Sequence, residues 1–202
     1  MWWLFLSLPG RFVPGVTGKV PVRAANRAGS SREQVGSVLV IVALCLLCVQ
    51  IALGGWTSSN YAAVACPDFP TCQNAWWPPN TDFRDAFVLW RGQSINFEGG
   101  VLDNAARVAI HLTHRLGALI VTVALTTAAL VTLLRTSQRR TRLAAIAVLA
   151  ALALQLCIGV AMVLRGFPLW LATAHNAGAA LLLMATLALA WAWSRSAQSP
   201  AF

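Results

Sequence analysis

Charged side chains are scarce in this sequence. Only 10% of its 202 residues are Asp, Glu, Lys or Arg, whereas 58% are hydrophobic, and the mean hydropathy is +0.67. A soluble globule of this size needs a larger polar surface, so the composition excludes a soluble fold. The chain is predicted to be an integral membrane protein.

Acidic residues are the rarer of the two charged classes. The sequence has 6 Asp and Glu against 15 Lys and Arg, which gives a formal net charge of +9. In a soluble protein this excess would suggest a nucleic-acid partner. Here the basic residues flank long apolar runs, where they act as orientation signals. We therefore expect the lipid bilayer, and no nucleic acid, as a partner.

Four apolar stretches are each long enough to cross a bilayer, which takes about 20 helical residues. They cover residues 36–56, 108–134, 143–164 and 169–193. Together they predict an all-α fold, a four-transmembrane-helix bundle spanning residues 36–194. A basic segment precedes the bundle at residues 1–35, a long loop fills residues 57–107, and a tail occupies residues 195–202.

The loop and the chain ends are expected on opposite sides of the membrane. The N-terminal segment and the turn between the second and third stretches are rich in Arg and Lys, which marks both as cytoplasmic. Five of the six acidic residues lie in the long loop: Asp68, Asp82, Asp85, Glu98 and Asp103. We expect a multi-pass protein of the inner (plasma) membrane, with cytoplasmic termini and the loop outside.

The sequence contains an internal repeat of a helix pair. The first and third stretches share a Gln-x-x-x-Gly spacing, at Gln50 and Gly54 and at Gln155 and Gly159. The second and fourth share His-x-x-Gly-Ala, at His114, Gly117 and Ala118 and at His175, Gly178 and Ala179. Two matching pairs in matching order predict one helix pair used twice, related by a pseudo-two-fold axis along the membrane normal.

The paired histidines are ionisable residues inside predicted spans, where such residues are usually functional. His114 and His175 each lie six residues past the predicted start of their helix, hence about 9 Å deep at 1.5 Å per residue. Alternate helices of an up-down bundle are diagonal neighbours, so two inward-facing imidazoles could hold one flat cofactor between them. Axial ligation of a heme iron fits this spacing. Hydrogen bonding between helices is the alternative.

Four nearby residues are candidates for heme contacts. Gly117 and Gly178 share a helix face with the histidines and would let a macrocycle approach the backbone. Arg115 and Arg107 are candidates for the heme propionates, which a planar guanidinium suits. A zinc site is not expected, because no carboxylate or cysteine lies at the same depth to complete four ligands.

Three further polar residues have weaker assignments. His111 shares a face with His114 but lies nearer the water, so it either supports the ligand residues from behind or contacts substrate, or is a simple interfacial histidine. Gln50 and Gln155 are predicted to be hydrogen-bond partners between helices rather than catalysts.

The five cysteines form two groups. Cys66 and Cys72, in the loop sequence CPDFPTC, are predicted to form a structural or redox-active disulfide, since the outer compartment is oxidising. Cys45, Cys48 and Cys157 lie in apolar stretches, where a thiolate is disfavoured. They are expected to be buried packing residues.

Three segments resemble the C-terminal half of the heme A synthase family: GGWTSSNYAAVACPDFPTCQNAWWPP, NFEGGVLDNAARVAIHLTHRLGA and AHNAGAALL. The resemblance covers about residues 35–193. It implies a family of two four-helix halves that oxidises a methyl group of heme O to the formyl group of heme A. It further implies that His114 and His175 are axial ligands of a heme b that relays electrons, and that Cys66 and Cys72 are the loop cysteine pair.

The sequence departs from this family at one position. The family's N-terminal half has a glutamate three residues before its His-Arg pair, with an assigned catalytic role, and here that position holds His111. No predicted span contains a carboxylate, so the catalytic residues stay unassigned. The chain is interpreted as a fragment whose first residues are a remnant of a preceding span, as a split subunit working with a separate N-terminal half, or as a half-size chain that forms a homodimer.

The favoured hypothesis is a heme A synthase-like oxidoreductase, or its heme b-bearing half. Two alternatives stay open at this point. One is a membrane protein that passes electrons between the loop disulfide and a quinone. The other is a non-catalytic heme-binding assembly partner of a terminal oxidase.

Overall fold

The computed structural model describes residues 22–90 and 100–196. The helices are α1 (Val22–Ser59), α2 (Phe83–Ala86), α3 (Asn104–Arg135), α4 (Arg139–Leu164) and α5 (Leu169–Ser196), with a 3-10 turn at Ala63–Ala65. The described ranges contain no β-strand, and the predicted all-α class is confirmed. Most of the predicted basic segment, loop residue Glu98 and most of the predicted tail lie outside the described residues.

Four helices are long and apolar enough to cross a membrane: Gln34–Ser59, Asn104–Arg135, Arg139–Leu164 and Leu169–Arg195. The predicted four-helix membrane bundle is therefore confirmed. Helix α3 begins at Asn104, ahead of the predicted residue 108. Its N-cap explains the difference, because the Asp103 side chain accepts a hydrogen bond from the backbone N–H of Ala106 at 2.9 Å and so starts the helix within polar sequence.

Consecutive long helices are neighbours around the bundle, and α5 closes the ring against α1. The two most extensive packings are α1 with α3 and α4 with α5. These are the two helix pairs of the sequence repeat, so the repeat is also a unit of packing. The histidine-bearing helices α3 and α5 consequently lie on a diagonal of the bundle.

The apolar core occupies the half of the bundle nearer the α3–α4 turn. Its boundary toward the long loop is formed by four side chains at most 6% exposed: Leu47, Val121, Leu152 and Leu182. Beyond this boundary, at the level of Gln50 and Gln155, the paired helices also meet through Gln, His and Gly residues, while buried apolar residues such as Ile110 and Leu171 continue toward the loop. We call this second part of the bundle the loop half.

Trp193 ties three helices together at the end opposite the loop. Its Nε1 donates a hydrogen bond to the Thr132 hydroxyl at 2.9 Å, and both side chains are buried. Its ring covers Gly36, where an added Cβ would lie 2.6 Å from the ring. This end of the bundle is therefore closely packed.

The long loop is folded over the loop half. Trp56 donates from Nε1 to the main-chain oxygen of Ala86 at 2.9 Å, which joins the end of α1 to α2. Ala62 and Ala86 are fully buried in one cluster with Ala106 and Ile110 of α3. The loop is thus a packed cover on α3.

Candidate functional site

The same glutamine–histidine contact occurs in both helix pairs. Between α1 and α3, Nε2 of Gln50 is 3.0 Å from Nδ1 of His114 and donates to the main-chain oxygen of His114 at 2.9 Å. Between α4 and α5, Nε2 of Gln155 is 3.3 Å from Nε2 of His175 and donates to the main-chain oxygen of His175 at 3.1 Å. As predicted, both glutamines hydrogen-bond between helices.

A glycine faces the amide oxygen in each contact. A Cβ added to Gly117 would lie 2.2 Å from Oε1 of Gln50, and one added to Gly178 would lie 2.2 Å from Oε1 of Gln155. These glycines were expected to border a macrocycle, and the structure places a glutamine side chain there because the paired helices pack closely. Their contact with a heme stays a prediction.

A second pair of glycines faces the imidazole rings. A Cβ added to Gly54 would lie 3.2 Å from Cε1 of His114, and one added to Gly159 would lie 3.1 Å from Cε1 of His175. Each ring is thus enclosed by a glutamine and a glycine of the neighbouring helix. The site prediction left out Gly54 and Gly159, although the Gln-x-x-x-Gly spacing marks both.

Each of the two rings keeps one nitrogen without a hydrogen-bond partner among the described residues. In His114 this atom is Nε2, since Nδ1 meets Gln50. In His175 it is Nδ1, which is buried. A buried polar atom without a partner is rare in native proteins, so the buried nitrogen of His175 is a candidate ligand atom.

His111 is buried, 5% exposed, and does not lie at the water as expected. Its Nδ1 is 3.2 Å from the main-chain oxygen of Ala62, and its Nε2 accepts from Nε of Arg115 at 3.1 Å. The ring of Phe167, from the α4–α5 turn, approaches edge-on with ring centroids 6.2 Å apart. The loop covers this position, which helix periodicity alone does not show. With both nitrogens engaged, His111 is not poised to take up a proton.

Arg115 is anchored to the Cys66–Cys72 loop. Its guanidinium donates to the main-chain oxygens of Thr71 at 2.7 Å, Asp68 at 2.8 Å and Cys66 at 3.2 Å. The ring of Phe69 lies 5.8 Å from the guanidinium carbon. A planar group with several fixed donors suits such a set of carbonyls. The predicted contact of Arg115 with a heme propionate stays a prediction beside these partners.

Cys66 and Cys72 are joined by a disulfide whose residues are 0% and 2% exposed. Asp68 organises the chain between them: its carboxylate accepts from the Thr71 hydroxyl and from the backbone N–H groups of Gln73 at 2.6 Å and Asn74 at 3.0 Å. The hydrogen bond from Thr71, supported by these N–H groups, holds the pKa of Asp68 below its usual value.

Arg107, the second predicted propionate partner, lies at the loop end of α3. Its side chain is half-buried against Gly100, where an added Cβ would lie 3.0 Å from Nη2 of Arg107 and 3.1 Å from Cδ2 of Tyr61. The predicted contact with a propionate stays a prediction here too.

The chain matches the family model COX15-CtaA, described as cytochrome oxidase assembly protein, over residues 1–187. It belongs to this family. Heme A synthase of Shewanella oneidensis is 42% identical to it over 165 residues, which are 80% of this chain and 48% of the relative. Heme A synthase 2 of Acidiphilium cryptum is 27% identical over 188 residues, 93% of this chain and 45% of the relative.

These matches confirm the resemblance to the heme A synthase family seen in the sequence. The chain spans about half the length of the curated relatives it matches. No solved structure matches it significantly.

In this family member, the cysteines of the spans lie where the sequence did not predict them. Cys45, Cys48 and Cys157 are free thiols exposed on the outside of the bundle. The prediction that they are buried packing residues is wrong, because they fall on helix faces turned away from the inward positions of α1 and α4, such as Leu47 and Leu152.

Proposed function

We propose that this chain is a heme A synthase-like oxidoreductase, or the heme b-bearing half of one, that relays electrons during oxidation of the heme O methyl group to a formyl group. The observation that carries the proposal is the repeated glutamine–histidine contact on the diagonal helices α3 and α5. Within the described part of the chain, both contacts leave one imidazole nitrogen without a partner, and that of His175 is buried. The names of the relatives, heme A synthases, support the substrate class.

The residues of the loop half fit a heme. The apolar core cluster stops before the level of His114 and His175, each ring faces a glycine of the neighbouring helix, Gly54 or Gly159, and a small residue, Ala118 or Ala179, follows on the same helix. A heme held by two histidines supplies an iron that takes up and passes on single electrons. The chain's own residues would bind it through the imidazoles and exclude water with the folded loop, whose Ala62 and Ala86 are fully buried.

The arrangement around His111 supports a relay role rather than a role at the oxidised methyl group. The spans contain no Asp or Glu, and the nitrogens of His111 are engaged by Arg115 and Ala62. In our proposal the substrate site is contributed by a partner, either a separate N-terminal half or a second copy of this chain.

We propose that the protein lies in the inner (plasma) membrane with the long loop outside and both termini in the cytoplasm. The support is charge: arginines cluster at the α3–α4 turn, whereas Asp68, Asp82, Asp85 and Asp103 lie at the opposite end. In intact cells, an impermeant thiol reagent should label N74C and spare Q138C. The reverse labelling would refute the orientation.

The ligand assignment is tested by loading the purified full chain with heme. The wild type should show the absorbance of a low-spin, six-coordinate heme, and both His114→Ala and His175→Ala should lose it. His111→Gln is the matched control and should keep it, because His111 serves the loop. An unchanged spectrum in both alanine variants would refute the ligand pair.

Turnover separates the enzyme from a non-catalytic assembly partner. The chain should support conversion of heme O to heme A, measured by mass analysis of pigments, in cells that lack the full-length enzyme and carry the complementary half. Heme binding without conversion in those cells would favour the assembly role. The third possibility, thiol–quinone electron transfer, has less support, because the disulfide is buried and its loop is held by Arg115.

A further inference from the structure

The side-chain oxygens of the two glutamines are buried in a way that destabilises the fold and that helix packing alone does not require. Oε1 of Gln50 and Oε1 of Gln155 are both buried and have no hydrogen-bond partner among the described residues. A buried acceptor without a partner is unfavourable, and an apolar side chain of similar size would fill the same space without this cost. The same unfavourable burial occurs at equivalent positions of the two helix pairs. It would be explained if the amide had a function at the histidine that it contacts.

Each amide holds its histidine at two points. The nitrogen of Gln50 contacts the ring of His114 at 3.0 Å and the main-chain oxygen of the same residue at 2.9 Å. Because one amide nitrogen contacts both the ring and the backbone of the same residue, it fixes the rotation of the imidazole relative to that backbone. Gln155 does the same at His175, at 3.3 and 3.1 Å.

A primary amide suits both states of such a ring. In the structure the amide nitrogen donates, so the ring nitrogen facing it accepts. A ring that binds iron through its other nitrogen carries its proton on the nitrogen facing the amide, which then needs an acceptor. A half-turn of the amide presents Oε1 to that proton, at the cost of the hydrogen bond to the main-chain oxygen, and Gly117 and Gly178 leave room for either end because they have no Cβ. A thioether can do neither, and a carboxylate can only accept.

We propose that Gln50 and Gln155 are positioning residues, which turn the rings of His114 and His175 so that their remaining nitrogens face one ligand between α3 and α5. This inference rests on the proposed function, in which that ligand is a heme. Partners of this kind fix the orientation of ligating histidines, and their loss typically weakens binding by about 10–100-fold.

The test uses the full chain loaded with heme b. In Gln50→Met and Gln155→Met, which keep the side-chain length, the helical circular dichroism should be unchanged, part of the low-spin absorbance should become high-spin, and heme transfer to excess apomyoglobin should be about tenfold faster. The double variant should lose heme faster than either single one. Gln34→Met, at the exposed far end of the α1 span, is the matched control and should behave as wild type.

A second variant covers the case in which a methionine variant does not fold. Gln50→Glu keeps the size and the acceptor, so it should retain heme and lower the midpoint potential, because a charged acceptor favours the ferric state. An unchanged potential would overturn the proposal, as would methionine variants with wild-type spectra and transfer rates. If His114→Ala and His175→Ala also kept the wild-type spectrum, the proposed function would fail first. Loss in the histidine variants alone would refute only the positioning role.

Discussion

Replacing Gly117 by alanine should disrupt the contact between Gln50 and His114. The added Cβ would lie 2.2 Å from Oε1 of Gln50 and 3.4 Å from Cδ1 of Leu53. The first distance is well inside the roughly 3.5 Å at which heavy atoms attract each other. The amide cannot simply withdraw, because its nitrogen is bound to both the ring and the backbone of His114.

The protein has two responses to this substitution. Keeping the amide in place strains the helix pair, and overpacking of this kind costs about 1–3 kcal/mol. Releasing the amide loses two hydrogen bonds, each contributing about 0.5–1.5 kcal/mol. Both responses destabilise the protein by a similar amount. Alanine also stabilises the helix by about 1 kcal/mol relative to glycine, because its helix propensity is higher. The net destabilisation is therefore about 1 kcal/mol.

Gly55 offers a matched control on the neighbouring helix, since a Cβ added there meets no atom of the described residues within 4 Å. Gly55→Ala should stabilise the protein by about 1 kcal/mol from helix propensity alone. The difference between the two alanine variants should thus be about 2 kcal/mol, and helix propensity cancels from it. Reversible unfolding in detergent micelles, followed by helical circular dichroism, measures this difference.

Repeating the substitution in a Gln50→Ala variant tests whether the amide is the cause of the destabilisation. When Gln50→Ala removes the amide, Gly117→Ala should cost little, and the two changes should be strongly non-additive. The reasoning is refuted if Gly117→Ala and Gly55→Ala differ by less than about 0.5 kcal/mol, the usual error of additivity. It is also refuted if Gly117→Ala is equally destabilising with and without Gln50.

Three further predictions concern the loop and the opposite end of the bundle. Arg115→Met leaves three loop carbonyls and His111 without their donor, so it should destabilise the chain by about 3 kcal/mol in the same unfolding assay, whereas the exposed Arg165→Met should change little. The pKa of Asp68 is lowered in the folded protein by the hydrogen bond from Thr71 and by backbone N–H groups. The Asp68 carboxylate therefore stabilises the fold at pH values above its unfolded pKa of about 3.9, and this stabilisation is lost as the pH falls through its folded pKa. Protease resistance of the loop should therefore fall below about pH 4 in the wild type, and Asp68→Asn should show no such dependence. Trp193→Phe removes the buried hydrogen bond to Thr132 and should cost about 1 kcal/mol, with no change in heme absorbance.

Apolar length was sufficient to predict the architecture. In lipid, an apolar run of about 20 residues satisfies its backbone hydrogen bonds as a helix, so four such runs predict four helices and their alternation. The helix ends were less predictable, because they depend on single polar contacts such as the cap that Asp103 provides for α3. The faces of the helices were predicted only in part. The thiols of Cys45, Cys48 and Cys157 are apolar enough to suit either the core or the lipid, so composition did not decide between them.

The site was predictable where it depends on spacing and not where it depends on the loop. The repeat marked Gln50 and Gln155 as hydrogen-bonding between helices, and the structure shows that their partners are His114 and His175, because residues at matching positions of repeated helix pairs meet matching neighbours. The burial of His111 and the carbonyls bound by Arg115 depend on how residues 66–72 fold. No periodicity carries that information, since a loop is ordered by individual hydrogen bonds such as those of Asp68.

The two helix pairs share the glutamine–histidine contact but differ in the residue that comes after the histidine. After His114 comes Arg115, which holds the disulfide loop. After His175 comes the exposed Asn176, and α4 and α5 are joined only by a short turn. The repeat therefore supplies a matched pair of imidazoles, whereas the loop packs on α3, beside His114. In the proposed function, substitutions at Gln50 or Gln155 should then alter ligand geometry, and those in the loop should alter access to the site.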